Sequence, residues 1–451
     1  MNSPGVPAVA TQPQWFGQPR GLTILFLTQM WEIFSYYGMR VLLVYYMTKQ
    51  LLMGQQQASM VYGVYVATFY FTPILGGIVA DRWLGKRRAV IIGAAIMSLG
   101  HFMMASESLF YFALAAIAIG NGLFLPSLPS QVDGLYPAGD PRRGGAYNVY
   151  YVGINVGGLL APLVCGSLGE VYGWHWGFGA AGVGMLAGLA VYVLGGRYLP
   201  ESNGKAKEAA KKQAAEVGAA TSPADLRTRI RVLVLIALCV MLFRGAYEQT
   251  GNTIALWADS GIDRHLAGGF TIPMTWFQAL NPLLVIVLTP LLVARWTRQA
   301  NRGAEPTPAR KMAMGAIGVA LAYLLLAIVS VLSPTGQASW LWLALFFLVL
   351  TTGELFILPV GLGLFARLAP RGHGATTVAA WFLASFGGNL LAGALGTAWS
   401  QVGPGAFFGL MAAIAAAAGL LLRTLDTSAR RMESRAVETA GSEAEGTPAR
   451  I

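Results

Sequence analysis

The feature that most limits what this chain can fold into is a series of apolar runs too long for the helices of a soluble core. Two of them cover residues 312–332 and 340–364. A helix that crosses a bilayer needs about 20 such residues. Charged residues make up 11% of the chain, against roughly 25% in soluble proteins. These observations predict a polytopic membrane protein and exclude a soluble enzyme, a disordered scaffold and a nucleic-acid-binding protein.

Spans of this length predict twelve transmembrane helices, an all-α membrane protein. The predicted helices lie near residues 21–49, 54–80, 88–105, 109–131, 143–169, 175–198, 230–257, 271–296, 311–332, 340–366, 374–399 and 405–424.

The longest connection between them is rich in Ala, Lys and Glu, and it divides the chain into two halves of six helices. This layout is typical of two-bundle transporters, in which inverted repeats nest within each half. The predicted regions are a disordered cytoplasmic tail at 1–20, bundles at 21–199 and 230–424, a cytoplasmic linker at 200–229 and a cytoplasmic tail at 425–451.

Lys and Arg are concentrated in one alternate set of loops, which accounts for the net charge of +11. Because positive loops stay on the cytoplasmic side, both termini are expected inside the cell, in a multi-pass inner-membrane protein. The basic loop residues are Arg82, Lys86, Arg87, Arg88, Arg142, Arg143, Arg295, Arg298, Arg302, Arg310, Lys311, Arg367 and Arg371.

Few ionisable side chains lie deep within the predicted spans. A charge in the middle of a bilayer costs several kcal/mol and persists mainly where it faces a partner or a water-filled cavity. These residues are therefore the first candidates for a functional site. They are Glu32, Arg40, Arg244, Glu248 and Glu354.

The spacing of the polar residues places them on defined helix faces. Glu32, Tyr36 and Arg40 recur every four residues and share one face of helix 1. Arg244 and Glu248 are also four apart and can pair along helix 7. Similar faces occur on helices 5 and 10, so the four helices predict one central cavity. These faces consist of Tyr147, Tyr151 and Asn155 on helix 5, and Thr351 and Glu354 on helix 10.

The loop between helices 2 and 3 carries the first specific motif. Residues 76–88 read GGIVADRWLGKRR, which resembles the Gly-x-x-x-Asp-Arg-x-Gly-Arg-Lys loop of the major facilitator superfamily. In this loop Asp81 can accept hydrogen bonds from a neighbouring helix end, which makes it a candidate gating residue.

The fifth helix carries the second motif. Residues 147–159 read YNVYYVGINVGGL and resemble the signature of the proton-dependent oligopeptide transporter family. The resemblance extends almost end to end. It includes FSYYGMR at 34–40, YEQ at 247–249, LNPL at 280–283, ELF at 354–356, PVGL at 359–362 and WF at 381–382.

This resemblance implies the major facilitator fold and a site for a zwitterionic peptide. Glu354 would hold the peptide ammonium with help from Asn155 and Asn281, and Arg40 would help to hold the carboxylate. Aromatic residues would line the cavity: Tyr36, Tyr37, Tyr70 and Trp381.

The chain departs from the family pattern where that pattern is charged. The family's Glu-x-x-Glu-Arg segment is matched by Gln29, Glu32 and Ile33, so its first carboxylate and its arginine are absent. Leu125 replaces a lysine of helix 4, and Arg244 replaces a tryptophan of helix 7. We expect Arg244 either to pair with Glu248 and meet ligand anions or merely to neutralise Glu248.

Three hypotheses follow. The first is import of di- and tripeptides or similar solutes by alternating access, with weakened or rerouted proton coupling through Glu32 or Glu248. The second is transport of an amine-bearing solute that lacks a free carboxylate, with or without protons. The third is a sensor that binds without transporting. None of them requires enzymatic activity, a metal or a cofactor. The expected partners are the substrate, the lipid bilayer and protons, and the expected state is a monomer.

Overall fold

The computed structural model of the chain describes residues 14–15, 17–136, 140, 142–200, 223–266, 268–333, 337–369 and 374–445. Its helices are α1 (Arg20–Tyr45), α2 (Gln55–Val79), α3 (Lys86–Met103), α4 (Phe110–Ser127), α5 (Arg142–Ala161), α6 (Ser167–Val171), α7 (Trp174–Leu194), α8 (Pro223–Tyr247), α9 (Thr253–Ser260), α10 (Leu280–Asn301), α11 (Pro308–Leu332), α12 (Trp340–Leu368), α13 (Gly374–Gly396), α14 (Trp399–Val402) and α15 (Pro404–Glu445). Four two-residue strands are β1 (Gln14–Trp15), β2 (Gln18–Pro19), β3 (Ile262–Asp263) and β4 (Ala338–Ser339).

Each of the twelve predicted spans is occupied by helix. Within the described residues, ten helical segments are long and apolar enough to cross a membrane. The other two spans are more polar: α1 carries Glu32 and Arg40, and α3 begins with Lys86 and two arginines. Helices suit this setting because every backbone donor within them is satisfied internally, away from water.

The chain forms two compact units. One contains Met1–Asn203 together with Thr250–Ile286, and the other contains Gly204–Gln249 together with Val287–Ile451. The end of predicted helix 7 and the start of predicted helix 8 therefore belong to the unit built by the first half of the sequence. We call these the first unit and the second unit.

Four helix pairings of the first unit recur in the second. In the first unit α1 packs against α5 and α7, and α3 packs against α4 and α7. In the second unit α8 packs against α13 and α15, and α11 packs against α12 and α15. Each helix of a pair in the second unit comes six predicted spans later in the sequence than the matching helix in the first unit. The helix pairing is therefore repeated between the two halves of the sequence.

Glycines allow the helices to approach closely. A Cβ at Gly76 of α2 would collide with the backbone of Gly122 in α4, and one at Gly157 of α5 would collide with the Met30 carbonyl of α1. In the second unit a Cβ at Gly388 would collide with the Arg244 side chain. Gly157 and Gly388 therefore allow close helix packing, as is typical of small residues at helix interfaces in membranes.

The amino-terminal boundary requires a correction. Part of the predicted disordered tail forms the antiparallel pair β1–β2, in which Gln14 is opposite Pro19. Tyr136 donates to the Gln18 side chain at 2.7 Å, and Arg142 donates to the Gly17 carbonyl at 3.3 Å. These contacts dock the segment against the chain that precedes α5. The remainder of that tail, residues 1–13, lies outside the described residues.

Two other boundaries also differ from the prediction. The helix after the central connection begins at Pro223, before the predicted start at 230, and most of the predicted linker, 201–222, lies outside the described residues. The last helix, α15, continues past the predicted end at 424 to Glu445. Residues 425–445 contain no proline and are rich in Ala, Arg and Glu, which favour helix in water as well as in lipid.

Candidate functional site

In the first unit, Arg40 lies among tyrosines. Its Nε donates to the Tyr62 hydroxyl at 2.8 Å, and its guanidinium lies 5.6 Å from the Tyr37 ring centroid and 5.8 Å from that of Tyr62. The Arg40 side chain is buried. A guanidinium at these distances is attracted by both rings. The surroundings therefore hold a buried cation by a hydroxyl and two aromatic faces.

The other predicted aromatic residues of this unit join the same group. Tyr36 stacks on Phe69 with centroids 3.9 Å apart and meets the edge of Tyr37 at 5.4 Å. The ring centroid of Tyr70 lies 6.0 Å from that of Phe69. We call Tyr36, Tyr37, Tyr62, Phe69 and Tyr70 the tyrosine cluster. The structure brings all three tyrosines predicted from the sequence together with Arg40.

Gly251 completes the surroundings of Tyr62. A Cβ at Gly251 would collide with the Tyr62 hydroxyl and lie 3.4 Å from the Arg40 Nε. Only glycine therefore lets the backbone beyond α8 approach the Arg40–Tyr62 pair. Neither Tyr62 nor Gly251 is among the residues predicted from the sequence. The spacing of Tyr62, Tyr65 and Phe69 along one face of α2 was the available signal.

Leu125, which stands where the family pattern has a lysine, packs against the apolar cluster that contains Tyr36, Tyr62 and Phe69. It is partly buried there, beside Tyr37 and Tyr70, which pack against the same cluster. The position therefore contributes packing to the tyrosine cluster and no charge.

Glu32 is held by uncharged groups. Its Oε2 accepts from the Gln29 amide at 2.6 Å, and Tyr150 of α5 donates to the Gln29 carbonyl oxygen. The Glu32 side chain is fully buried, and its Oε1 has no hydrogen-bond partner among the described residues. We call Gln29, Glu32 and Tyr150 the amide bridge. It joins α1 to α5 without an ion pair on Glu32 in the described part of the chain.

Ile33, Asn155 and Asn281 lie on α1, α5 and α10. Ile33 is buried, and its Cγ2 lies 3.9 Å from the position of a Cβ on Gly158, which also faces Pro282. The buried Asn155 donates to the Tyr151 carbonyl one turn earlier in α5, at 3.0 Å. Asn281 lies in the first turn of α10, partly buried in the first unit.

In the second unit, Arg244 and Glu248 form the predicted ion pair. The Arg244 Nη1 lies 2.6 Å from the Glu248 Oε1, and both side chains are at least nine-tenths buried. Gly388 of α13 lies against the stem of Arg244, where a side chain would collide with it. Truncating one partner of such a buried pair typically costs about 3–5 kcal/mol, because the other charge remains.

Glu248 also marks a break in its helix. The α-helix α8 ends at Tyr247, a 3₁₀ turn covers Glu248–Gly251, and Asn252 has φ −114° and ψ −97°, outside the helical region. The Asn252 side chain accepts from Ser59 at 2.8 Å. In membrane transporters, irregular backbone at this depth is typical of a cavity or a binding site.

The remaining predicted residues of the second unit lie on α12 and α13. Glu354 is partly buried on α12, one turn from the fully buried Thr351. Trp381 of α13 is buried edge-on to Phe365, with centroids 5.2 Å apart, and fills the space above Gly361. Trp381 therefore packs tightly beside α12, and its role as a pocket wall stays a prediction.

Asp81 lies apart from these groups. It is exposed at the end of α2, in the π-helical turn Ala80–Leu84, where Gly85 ends the turn with φ +76°. Its gating role stays a prediction, as do the substrate contacts of the other residues.

Comparison with known proteins identifies relatives over most of the chain. The family model described as POT family matches residues 87–221 and 204–407. The peptide transporter YePEPT of Yersinia enterocolitica is 33% identical, with 85% of this chain and 88% of the relative covered. A di-/tripeptide transporter of Lactococcus lactis subsp. cremoris is 33% identical, with 83% and 88% covered. A solved structure of a peptide transporter POT in complex with sulfate is similar at a TM-score of 0.85, with 30% identity and coverage of 94% and 98%.

Proposed function

The chain belongs to the POT family, and from this premise we propose that it imports di- and tripeptides or peptide-like solutes by alternating access. The observation that carries the proposal is the set of buried charged groups beside aromatic walls: Arg40 in the first unit, and Arg244 and Glu248 in the second. Charged side chains at this depth are retained mainly for function. The relatives named as peptide and di-/tripeptide transporters support the substrate class.

The proposed binding mode uses charge complementarity at both ends of the peptide. Glu354 takes the ammonium, with Asn155 and Asn281 as neutral partners. Arg40 takes the carboxylate, because a guanidinium can hold a carboxylate through two hydrogen bonds. The tyrosine cluster and Trp381 supply rigid apolar walls with polar rims, which suit varied side chains.

A counterflow assay in proteoliposomes tests the substrate class. Vesicles loaded with unlabelled dipeptide should accumulate labelled dipeptide, and the matching dipeptide amide should compete at least about tenfold less well, because it lacks the carboxylate. Equal competition by the amide would favour the second candidate, an amine-bearing solute without a carboxylate. Saturable binding without counterflow would indicate a sensor.

The second candidate has one observation in its favour. Ile33 and Leu125 are apolar where the family pattern places cations, and Leu125 packs against the tyrosine cluster. A cavity with fewer cations discriminates less strongly for a carboxylate.

We propose that proton coupling is weakened, or rerouted to Glu248. The amide bridge surrounds Glu32 with neutral groups, so an ionised Glu32 would be a buried charge without a counter-ion, which costs several kcal/mol. Coupling requires protonation to favour one conformation over another. Protonation of Glu248 would break its ion pair with Arg244 and release the Arg244 cation within the second unit.

Uptake with and without an imposed pH gradient tests this proposal. Weak coupling predicts uptake that changes little with the gradient. A strong gradient dependence that Glu248→Gln abolishes would refute weak coupling and assign the route to Glu248. A strong dependence that persists in Glu248→Gln but is lost in Glu32→Gln would contradict the rerouting.

The role of Arg244 is tested in a background without the Glu248 carboxylate, because removing Arg244 alone leaves that carboxylate buried and unpaired. We therefore compare Glu248→Gln with the double variant Arg244→Met/Glu248→Gln. Neither variant contains a buried carboxylate at position 248. If Arg244 meets ligand anions, the double variant should bind dipeptide about tenfold more weakly than Glu248→Gln. Equal affinities would leave Arg244 as a counter-charge for Glu248 only.

We also propose that the protein is a monomer in the inner membrane. Both termini are proposed to lie in the cytoplasm, because Lys and Arg occur in the alternate loops that stay inside. Cysteines introduced at exposed Arg298 and exposed Tyr172 test this topology. A membrane-impermeant reagent applied to intact cells should label the second position and not the first.

A further inference from the structure

The second unit contains a cavity that none of the transport residues lines. It has a volume of about 450 Å³ and lies between the chain that precedes α11 and the last turns of α12. The volume falls within the range of about 300–1,000 Å³ of small-molecule sites. Its polar lining residues are Glu305, Thr307, Lys311 and Arg367.

Lys311 is fixed in the wall of this cavity. Its side chain is only 8% exposed, and its Nζ lies 2.5 Å from the Glu305 Oε1 and 4.3 Å from the Trp296 ring centroid. Lysine is seldom buried to this degree unless it is paired. The carboxylate and the indole face therefore hold the ammonium in place, while it still borders the cavity.

Arg367 supplies a second cation from α12. Its Nη1 lies 3.6 Å from the position of a Cβ on Gly363, one turn earlier, so the guanidinium folds back along the cavity wall over a residue without a side chain. The planar guanidinium can bind phosphate oxygens through two parallel hydrogen bonds. Gly363 and Arg367 thus form a second face of the same cavity.

The shape of the cavity is fixed by the backbone around it. Pro306, Pro308 and Pro359 line it, and proline restricts the backbone to one region of φ. Thr307 accepts from the Arg310 amide as the cap of α11 and donates to Asp426 of α15. The loop is thereby tied at both sides, and the cavity is largely preformed.

The charges identify the ligand chemistry. Two cations, Lys311 and Arg367, and one carboxylate, Glu305, leave a net positive site with one acidic edge. Glu305 is 40% exposed and binds Lys311 through one oxygen, so its other oxygen remains accessible. A phosphate can accept hydrogen bonds from both cations, and a primary ammonium attached to it can donate to the Glu305 oxygen that does not bind Lys311. A phosphate without an amine would bring a second anion beside Glu305 without adding a cation to offset it.

We propose that this cavity binds a phosphoethanolamine group, with the phosphate between Lys311 and Arg367 and the ammonium at Glu305. The group has two possible sources, a phospholipid headgroup and a soluble phosphorylated amine. The cavity lies at the end of the second unit that carries basic loop residues, which attract phosphate-bearing lipids to a membrane surface.

Native mass spectrometry and thermal stability of the purified full chain test the proposal. The probes are phosphatidylethanolamine, phosphatidylcholine, phosphatidylglycerol and soluble phosphoethanolamine. Phosphatidylethanolamine should bind saturably and raise the melting temperature. Phosphatidylcholine cannot donate hydrogen bonds to Glu305, and phosphatidylglycerol has no cation, so both should bind about tenfold more weakly. Tight binding of soluble phosphoethanolamine that the lipid does not match would support the site with a soluble source.

Variants assign the binding to this cavity. Arg367→Gln, at an exposed position, should weaken phosphatidylethanolamine binding about tenfold, and Glu305→Gln should remove the preference over phosphatidylcholine. Arg298→Gln, the loss of an exposed arginine of the same basic region, is the matched control and should bind normally. Lipid binding by Lys311→Gln is interpreted only if the melting temperature of this variant without lipid is close to that of the parent.

Two results would overturn the proposal. One is lipid binding that Arg367→Gln and Glu305→Gln leave unchanged. The other is competition by a transported dipeptide, which would place the cavity on the transport path.

Discussion

At the scale of single residues, Gln29 shows how one amide can replace an ionic arrangement. Its amide nitrogen donates to Glu32 and its carbonyl oxygen accepts from Tyr150, so both ends of the side chain are satisfied in a buried position. A glutamate at the same position would place a second carboxyl group beside Glu32. Gln29 therefore links α1 to α5 without placing a second titratable group beside Glu32.

The amide bridge makes a stability prediction. Tyr150→Phe removes the donor to Gln29 and leaves a buried carbonyl oxygen without a partner, which costs about 1–3 kcal/mol. The free energy of unfolding, measured by denaturant titration in mixed micelles, should fall by this amount. Tyr172→Phe, at a side chain that is 68% exposed, is the control and should change it by less than about 0.5 kcal/mol. Equal losses in the two variants would mean that the bridge contributes nothing.

Some contacts of the site follow from spacing alone. Arg244 and Glu248 are one helical turn apart, and the structure contains their pair at 2.6 Å. The partner of Arg40 was not predictable in this way. Tyr62 lies 22 residues away on another helix, and only the packing of α1 against α2 brings the two side chains together.

At the scale of helices, glycine positions set how closely neighbours can approach. Gly76 of α2 faces the backbone of Gly122 in α4, where no flexible side chain can move aside. Gly179 of α7 lies in open space, although it is also a helix-interior glycine. The sequence alone does not distinguish Gly76 from Gly179, and only the packing does.

This difference predicts opposite results for the same substitution. Gly76→Ala should destabilise the protein by about 1–3 kcal/mol, because α2 and α4 must separate to admit the methyl group. Gly179→Ala should be neutral or stabilise it by up to about 1 kcal/mol, because alanine favours helix. Melting temperatures of the two purified variants, compared with the parent, provide the measurement. A fall in melting temperature for Gly179→Ala as large as that for Gly76→Ala would contradict the packing argument.

The break after α8 is another feature of element scale. Hydropathy predicts one continuous helix over 230–257, but regular helix stops at Tyr247 and resumes at Thr253. No proline marks the break in the sequence. The Asn252 side chain instead bonds to Ser59 on α2, a tertiary contact that compensates for the loss of regular backbone hydrogen bonds.

At the scale of the whole molecule, the units do not coincide with the two sequence halves. The segment Thr250–Ile286 belongs to the first unit. Lys49 pairs with Asp259 at 2.7 Å, and Tyr45 donates to the Ala255 carbonyl at 2.7 Å. Glu170 accepts from the backbone amides of Met274 and Thr275 at 3.0 and 2.9 Å. These bonds attach the segment to the first half of the chain.

Glu170 gives the clearest test of that attachment. Glu170→Gln removes the charge that receives two amide hydrogens, and hydrogen bonds to charged groups contribute about 1.5–3 kcal/mol. Deuterium exchange of a peptide covering residues 274–279 should therefore become about ten- to hundredfold faster. Glu107→Gln, which alters an exposed contact to Gln50, is the control and should leave this exchange unchanged. Unchanged exchange in Glu170→Gln would show that other contacts hold the segment.

The sequence by itself determined the class of protein, its helical architecture and the family. Hydrophobic length, charge scarcity and the motif at 147–159 are local properties of the chain, and bilayer thickness converts them directly into spans. Only the tertiary structure decided that Arg40 meets Tyr62, that Gln29 links Glu32 to Tyr150, and that residues 250–286 join the first unit. These contacts join distant parts of the chain, and their partners depend on how the helices pack, which helical periodicity does not specify.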